Sequence, residues 1–438
     1  MADPTPTPTA PLAPIHAAYG PYQYKDDQLH CEGVALATIV EEVGSPVYVY
    51  SRAELERSYA SFVQGLEGID HRVCYSVKAN STLGILDVLI KLGAGADIVS
   101  YGELFRWLKA GGPANKVVFS GVGKTDDEIL HAVKAGIDTF NAESVEELEA
   151  LDRVAGGANK VIRVALRVNP DVDAGTHPYI STGLKQNKFG MSMEEARSLG
   201  KRAGRYPQLR LIGVDFHIGS QLTKTSPFAD AIARLVSLVK DLTRDGLKID
   251  HVDIGGGLGI DYGKGDVVPS PAAYGAAVRD ALAPLAALGI TLYTEPGRVI
   301  VATSGALITK VLFRKHNEEK HFTIVDGAMN DLMRPALYGS FHPMKPITGA
   351  RRPVITTDVV GPVCETGDFF ARDRELPAME QGELLWIGAA GAYGSTMASN
   401  YNTRPRVPEV LVDGDRYTVI KPRETYEQLI AGERLADR

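Results

Sequence analysis

The chain has 438 residues, 44% of them hydrophobic and 23% charged, and a formal net charge of -7. That length exceeds one ordinary core, so a globular protein of two domains is expected. The negative balance argues against nucleic acid as a partner, and no apolar run is long enough to span a bilayer. The three cysteines, Cys31, Cys74 and Cys364, have neither disulfide-framework nor metal-ligand spacing, which points to a cytoplasmic protein without a metal site.

Residues 1–14 are rich in proline and threonine, with no basic start and no apolar centre, and read as a disordered tail rather than a secretory signal. Residues 15–46 follow, and strand-like stretches within 22–40 have no place in the pattern after them; they are assigned to the second domain. From 47 to 301, short apolar runs alternate with helical patterns. Strands are expected at 73–77, 96–99, 117–120, 139–141, 161–168, 211–217, 252–254 and 291–295, and helices between them at 100–110, 125–135, 144–154 and 228–245. Thr125 with Glu128, and Ser144 with Glu147, have capping-box spacing. This alternation predicts a (β/α)8 TIM-like barrel, with a doubly wound sheet as the competitor. Lys78, Asp97, Arg167, His217, Gly255 and Glu295 all fall at or just after the ends of expected strands. A barrel brings those ends to one mouth, whereas an open sheet strings them along an edge. From 302 to 438 the helical period fades and strand-like runs recur at 306–312, 322–325, 354–360, 383–387, 409–412 and 417–420, predicting a C-terminal β-sandwich or barrel domain.

Lys78 follows the apolar run Val73-Cys74-Tyr75-Ser76-Val77. A lysine at such a strand end can lose its charge in a partly apolar pocket and form a Schiff base with an aldehyde; a solvated lysine is the plain alternative. Gly255-Gly256-Gly257-Leu258-Gly259 lets backbone N–H groups approach an anion such as a phosphate, although glycine clusters also make ordinary turns. Glu295, before Pro296-Gly297-Arg298, can pair with a protonated pyridine nitrogen or simply with Arg298. His217, before Gly219 and Ser220, suggests a ring against a cofactor face and a hydroxyl near its phosphate. Arg334 and Tyr338 suit a carboxylate. Cys364 and Glu365 are adjacent, and Tyr393 sits in Gly391-Ala392-Tyr393-Gly394.

These motifs, with Tyr75-Ser76-Val77-Lys78-Ala79-Asn80, His177-Pro178-Tyr179-Ile180-Ser181-Thr182-Gly183, Lys188-Phe189-Gly190 and residues 392–401, resemble the diaminopimelate decarboxylase family of alanine-racemase-like pyridoxal phosphate enzymes over 46–429. The resemblance implies pyridoxal 5'-phosphate held by Lys78, with His217 on the ring face, Glu295 on the ring nitrogen, and Ser220, Gly255, Gly256 and Gly257 on the phosphate. Asp97, Gly297, Arg298 and Tyr393 complete the cofactor shell. It also implies that Arg298, Arg334 and Tyr338 grip the distal carboxylate of an amino-acid substrate, that Glu365 takes its ammonium, and that Cys364 donates the proton replacing CO2. Tyr393 touches cofactor and substrate. The implied reaction is meso-2,6-diaminopimelate to L-lysine and CO2, in a head-to-tail homodimer whose sites borrow Cys364 and Glu365 from the second subunit. One local departure is Tyr101, where a smaller residue is expected. The rival readings are an ornithine-, lysine- or arginine-type decarboxylase, which the resemblance associates with an aspartate after the cysteine, a racemase, and a non-catalytic cofactor-binding homologue.

Overall fold

A computed structural model describes residues 20–172, 187–349 and 352–436. The tail at 1–14 and the motif His177–Gly183 lie outside the described residues. The chain divides into two units: one comprises residues up to Leu55, Tyr262–Gly265 and Val301 onward; the other comprises Glu56–Asp261 and Asp266–Ile300.

The second unit holds the barrel. Eight parallel strands, His71–Ser76, Gly95–Ile98, Val117–Phe119, Thr139–Ala142, Ile162–Arg167, Leu209–Asp215, His251–Asp253 and Thr291–Thr294, pair in chain order, and the last closes on the first with Leu292 opposite His71. Most of their residues are buried, because a helix follows almost every strand and covers the outer face of the barrel. Helix Ser226–Arg244 shows how the outer layer is held. Phe228, Ala231, Ile232, Leu235, Val236, Val239 and Leu242 recur every three or four residues, and all are buried. The two expected capping boxes differ. At Thr125 both halves form. At Ser144 the hydroxyl accepts from the Glu147 N–H, but the Glu147 carboxylate accepts instead from the Glu143 N–H and from Lys124 Nζ at 2.6 Å. Tyr101 lies on helix Tyr101–Lys109 with its ring 4.2 Å from that of His131, so the larger residue is accommodated on the outer helical layer.

The other unit is built on a nine-stranded sheet centred on Gly305–His316, which pairs with Val47–Ser51, His321–Val325 and Leu384–Ile387. Val47–Ser51 therefore belongs to this sheet and not to the barrel region that was expected to start at 47. All five of its residues are buried, and a strand covered on both faces carries no alternation to say which sheet owns it. Strand Phe369–Pro377 has no counterpart among the expected runs, because the consecutive charged residues Arg372, Asp373, Arg374 and Glu375 interrupt its apolar pattern. Tyr22–Lys25, Gln28–Cys31 and Val34–Ala35 form a small antiparallel sheet of their own. It is tied to the same unit by the Leu29 N–H donating to the Ile347 carbonyl. No described helix is long and apolar enough to cross a membrane.

Candidate active site

Each barrel strand delivers one buried polar side chain at or just past its C-terminal end: Ser76, Asp97, Ser120, Asn141, Arg167, Asp215, Asp253 and Glu295. Parallel register explains why they meet. Ser76 lies opposite Asp97, and Asp215 lies opposite both Arg167 and Asp253, so their side chains leave the pleat on the same face.

Lys78 stands in the turn Val77–Ala79 immediately after the first strand. Its Nζ is 2.9 Å from Asp97 Oδ2, and the Ser76 hydroxyl donates to the same oxygen at 2.7 Å. Burial raises the proton affinity of Asp97, but the Lys78 ammonium and the Ser76 hydroxyl outweigh it and hold the carboxyl below its ordinary range. Nearby Glu103 accepts the Val99 N–H at 2.8 Å, yet burial pushes it up to about 7.

His217 accepts the Gly256 N–H on Nδ1 at 3.2 Å. A ring nitrogen that accepts carries a lone pair, so any proton on the neutral ring sits on Nε2. Burial, reinforced by Lys78 and Arg167, lowers His217 to about 3, and the ring is neutral. Ser120 Oγ donates to Glu295 Oε1 at 3.1 Å, and Asn141 Nδ2 donates to Ser120 Oγ at 3.1 Å. Glu295 is pushed well above the usual carboxylate range by burial, then by Asp253, Asp97 and Asp215. Asp253 is pushed up to about 6 by burial although the Gly255 N–H opposes it; Asp215 is raised by burial and Asp253 against the pull of Arg167. Ligand oxygens of Asp215, Asp253 and Glu295 lie within 4.8 Å of one another, so the three cannot all ionise and they titrate as a set. Arg167 already brings positive charge to them, with Nε 3.5 Å from Asp215 and Nη1 2.9 Å from Glu143.

The glycine loop works differently from a simple anion nest. The Gly255 N–H donates to Asp253 Oδ1 at 2.8 Å and the Gly256 N–H to His217, so both groups are engaged within the protein. These glycines are required by close packing. A Cβ on Gly256 would lie 2.2 Å from the Glu295 carbonyl oxygen, and one on Gly257 would lie 2.4 Å from that of Gly219. Gly255 and Gly257 also have φ of 62° and 111°. Beside the loop, Ser220 Oγ accepts from Arg298 Nη2 at 3.0 Å, and Gly297 separates Arg298 from Pro296, whose carbonyl accepts the Ser76 N–H. Lys78, Asp97, His217, Ser220, the glycines, Glu295, Gly297 and Arg298 thus share the C-terminal face of the barrel.

The remaining expected residues belong to the other unit. Arg334 and Tyr338 bound the short helix Arg334–Tyr338; Arg334 is buried, and its Nη1 is 2.9 Å from His342 Nε2. Cys364 and Glu365 are exposed on a turn. The Cys364 N–H donates to Asn402 Oδ1, Glu365 Oε2 accepts from the Tyr401 hydroxyl at 2.7 Å, and Asp368 braces the turn by accepting the Val363 and Met329 N–H groups. Tyr393 is half-buried with φ of 56°, a strained backbone for a non-glycine residue.

Sequence reasoning missed Ser76, Ser120, Asn141, Glu143, Asp215, Asp253, Tyr262 and His342. For the strand residues a signal existed: each is a polar residue at or near the end of an apolar run, at the face where barrels carry chemistry. Of Lys188-Phe189-Gly190, Gly190 donates its N–H to Glu143 Oε2 at 2.9 Å and Phe189 lies beneath the Arg167 guanidinium at 5.2 Å, so this motif supports Arg167 and Glu143.

A family model described as "Pyridoxal-dependent decarboxylase, pyridoxal binding domain" matches residues 52–302. A diaminopimelate decarboxylase of Pseudomonas aeruginosa is 52% identical over 414 residues, 94% of this chain and 99% of that protein. The crystal structure of diaminopimelate decarboxylase from M. jannaschii in co-complex with L-lysine superposes with a TM-score of 0.91 at 36% identity, covering 96% of this chain and 99% of that one. The Helicobacter pylori structure, also complexed with L-lysine, gives 0.86 at 40% identity over 90% and 98%.

Proposed function

This chain belongs to the diaminopimelate decarboxylase family of pyridoxal-dependent decarboxylases, and from that premise we propose that it converts meso-2,6-diaminopimelate to L-lysine and CO2, the last step of lysine biosynthesis. The observation that carries the reading is the Lys78 ammonium 2.9 Å from buried Asp97, on the same barrel face as Glu295 and the neutral ring of His217.

The residues present fit pyridoxal 5'-phosphate: a lysine amine, a flat neutral ring, a buried carboxyl of raised proton affinity, and a hydroxyl beside an arginine and glycines. When bound, this cofactor supplies an aldehyde for amines and an electron-poor ring that accepts the electron pair left by departing CO2. Lys78 would hold it, and the Asp97 carboxylate, 2.9 Å from the lysine Nζ, would orient that amine. Glu295, its proton affinity raised by burial and by Asp253, keeps a proton at the ring-nitrogen position while Ser120 fixes its carboxyl. His217 packs on the ring face as an uncharged surface. Ser220 and Gly257 take the phosphate, Gly255 and Gly256 shape the loop that delivers Gly257, and Gly297 and Arg298 complete the cofactor shell.

Arg298, Arg334 and Tyr338 grip the carboxylate at the end of the substrate that does not react, and Glu365 takes the ammonium there. A simple diamino acid without that carboxylate leaves the arginines without an anion, which is costly in a desolvated pocket. Cys364 donates the proton that replaces CO2, and Tyr393 touches cofactor and substrate. The protein acts as a cytoplasmic head-to-tail homodimer in which Cys364 and Glu365 serve the second subunit's site. Their exposure on a turn supports that arrangement, as their own chain leaves them accessible.

The test is CO2 release, with added cofactor, from meso-diaminopimelate compared with L-lysine, L-ornithine and L-arginine. Release from diaminopimelate alone is expected; release mainly from the others refutes the substrate assignment. Lys78→Ala should abolish turnover. Mixing inactive Lys78→Ala and Cys364→Ala proteins should restore part of the activity, because one site of a mixed dimer then carries neither change; no recovery under subunit exchange refutes the shared site.

A further inference from the structure

His342 is fully buried and makes two contacts that fix its protonation state. Its Nε2 lies 2.9 Å from Arg334 Nη1, and its Nδ1 lies 2.9 Å from the Gly388 carbonyl oxygen. A guanidinium nitrogen only donates and a carbonyl oxygen only accepts. Nε2 must therefore carry a lone pair and Nδ1 a proton, which describes one neutral tautomer. The imidazolium would set an N–H against the N–H of a cation.

The ring is also held in orientation. Gly388 donates its N–H to the carbonyl of Pro343, the residue after His342, while its own carbonyl takes Nδ1–H, so the two segments clasp each other through adjacent bonds. A Cβ on Gly388 would meet the Trp386 ring at 2.0 Å, which leaves this carbonyl little freedom to move. Tyr262 completes the seat: the Arg334 guanidinium lies over its ring at 4.9 Å, and that ring meets His342 edge-on at 5.5 Å. Arg334 is thus held at its edge by His342 and on its face by Tyr262, and bidentate recognition of a carboxylate depends on the plane of the guanidinium.

We propose that His342 is a positioning residue for the distal carboxylate of the substrate: neutral and donating from Nδ1 to Gly388, it fixes the plane of Arg334 through Nε2. This inference rests on the assignment of Arg334 to that carboxylate. It makes His342 a determinant of substrate specificity without contact with the reacting carbon.

Two isosteric replacements separate the two sides of the ring. In His342→Gln an amide oxygen stands near the Nε2 position and can still accept from Arg334. In His342→Asn the amide stands near Nδ1 and keeps only the Gly388 side. With holoenzyme, His342→Asn should raise KM for meso-diaminopimelate and weaken binding of L-lysine, which retains the distal carboxylate, by about ten- to one-hundred-fold, with kcat changed less than about threefold. His342→Gln should stay within about fivefold of the parent in both. Binding of cadaverine, which is L-lysine without its carboxylate, should not respond, nor should the visible absorbance of the bound cofactor. Equal losses in Asn and Gln variants, or parallel losses for lysine and cadaverine, overturn the proposal. Arg334→Gln is the control. If it leaves lysine binding intact, the assignment of Arg334 fails; if it weakens lysine and His342→Asn does not, this inference alone fails.

Discussion

Replacing His217 by asparagine should remove a defined part of the protein's sensitivity to acid. Asparagine cannot titrate, and its amide oxygen stands near the Nδ1 position, so it can still accept the Gly256 N–H. The ring titrates at about 3 in the folded chain, through burial and the charges of Lys78 and Arg167, against about 6.5 when unfolded. Between those values the unfolded state binds the extra proton. The stability contributed by the neutral ring is therefore complete above about pH 6.5 and is lost as pH falls toward about 3. At pH 5 the loss is about 2 kcal/mol, from about 1.5 pH units at 1.36 kcal/mol each. Glu103, at about 7, and Asp253 and Asp331, each at about 6, are raised and work in the opposite direction, so the parent curve alone does not isolate His217. The difference between parent and variant does. Trp107 lies in a barrel helix and Trp386 in the other unit, so urea unfolding of cofactor-free protein in a Trp386→Phe background reports the barrel. Between pH 7.5 and 5 the parent should lose about 2 kcal/mol more than the His217→Asn protein. A difference below about 0.5 kcal/mol would mean that the ring is not held neutral, and the argument for His217 as an uncharged stacking surface would fall.

Gly256→Ala drives a Cβ to 2.2 Å from the Glu295 carbonyl oxygen, so backbone must move; cofactor affinity, read by absorbance titration, should fall more than tenfold and stability by about 1–3 kcal/mol. Ser120→Ala removes the donor on Glu295 Oε1, and kcat should fall about tenfold with KM changed little, as steady-state kinetics will show. Cys364→Ala should lower kcat by about a hundredfold or more while leaving the cofactor's absorbance as in the parent, because the thiol is assigned only to the proton transfer. An unchanged rate in that variant would assign the proton to another group.

The barrel was legible because parallel strands buried on both faces leave a simple trace, a short apolar run closed by a polar residue. Glu295 stood out on that account. The same double burial concealed the owner of Val47–Ser51, since a run with no alternation cannot name its sheet. The glycine loop was legible as a loop, but the partners of its N–H groups were not. Whether a glycine N–H faces an anion or a neighbouring side chain depends on strands brought together in space, as His217 and Gly256 are by a contact 39 residues apart in sequence. Ser120 and Glu295 are separated by 175 residues, and nothing local to either announces the other.

That separation matters for what the barrel face can accept. Lys78 answers Asp97, and Arg167 lies between Glu143 and Asp215, which leaves Asp253 and Glu295 buried together with proton affinity raised on both. A buried pair of carboxyls is stable only while protons or cations neutralise it. In the proposed arrangement a ring nitrogen protonated against Glu295 would supply that positive charge, so the acids that weaken ionisation of Glu295 in the free protein would favour a protonated ring in the bound one. Of these acids the sequence marked only Asp97 and Glu295; the basicity of Glu295 is a property of the set. Asp253→Asn should therefore lower the pH at which the bound ring loses its proton, although Asp253 is assigned no contact with cofactor or substrate. A pH titration of the cofactor's visible band that is unchanged in this variant would show that Glu295 acts without its neighbours.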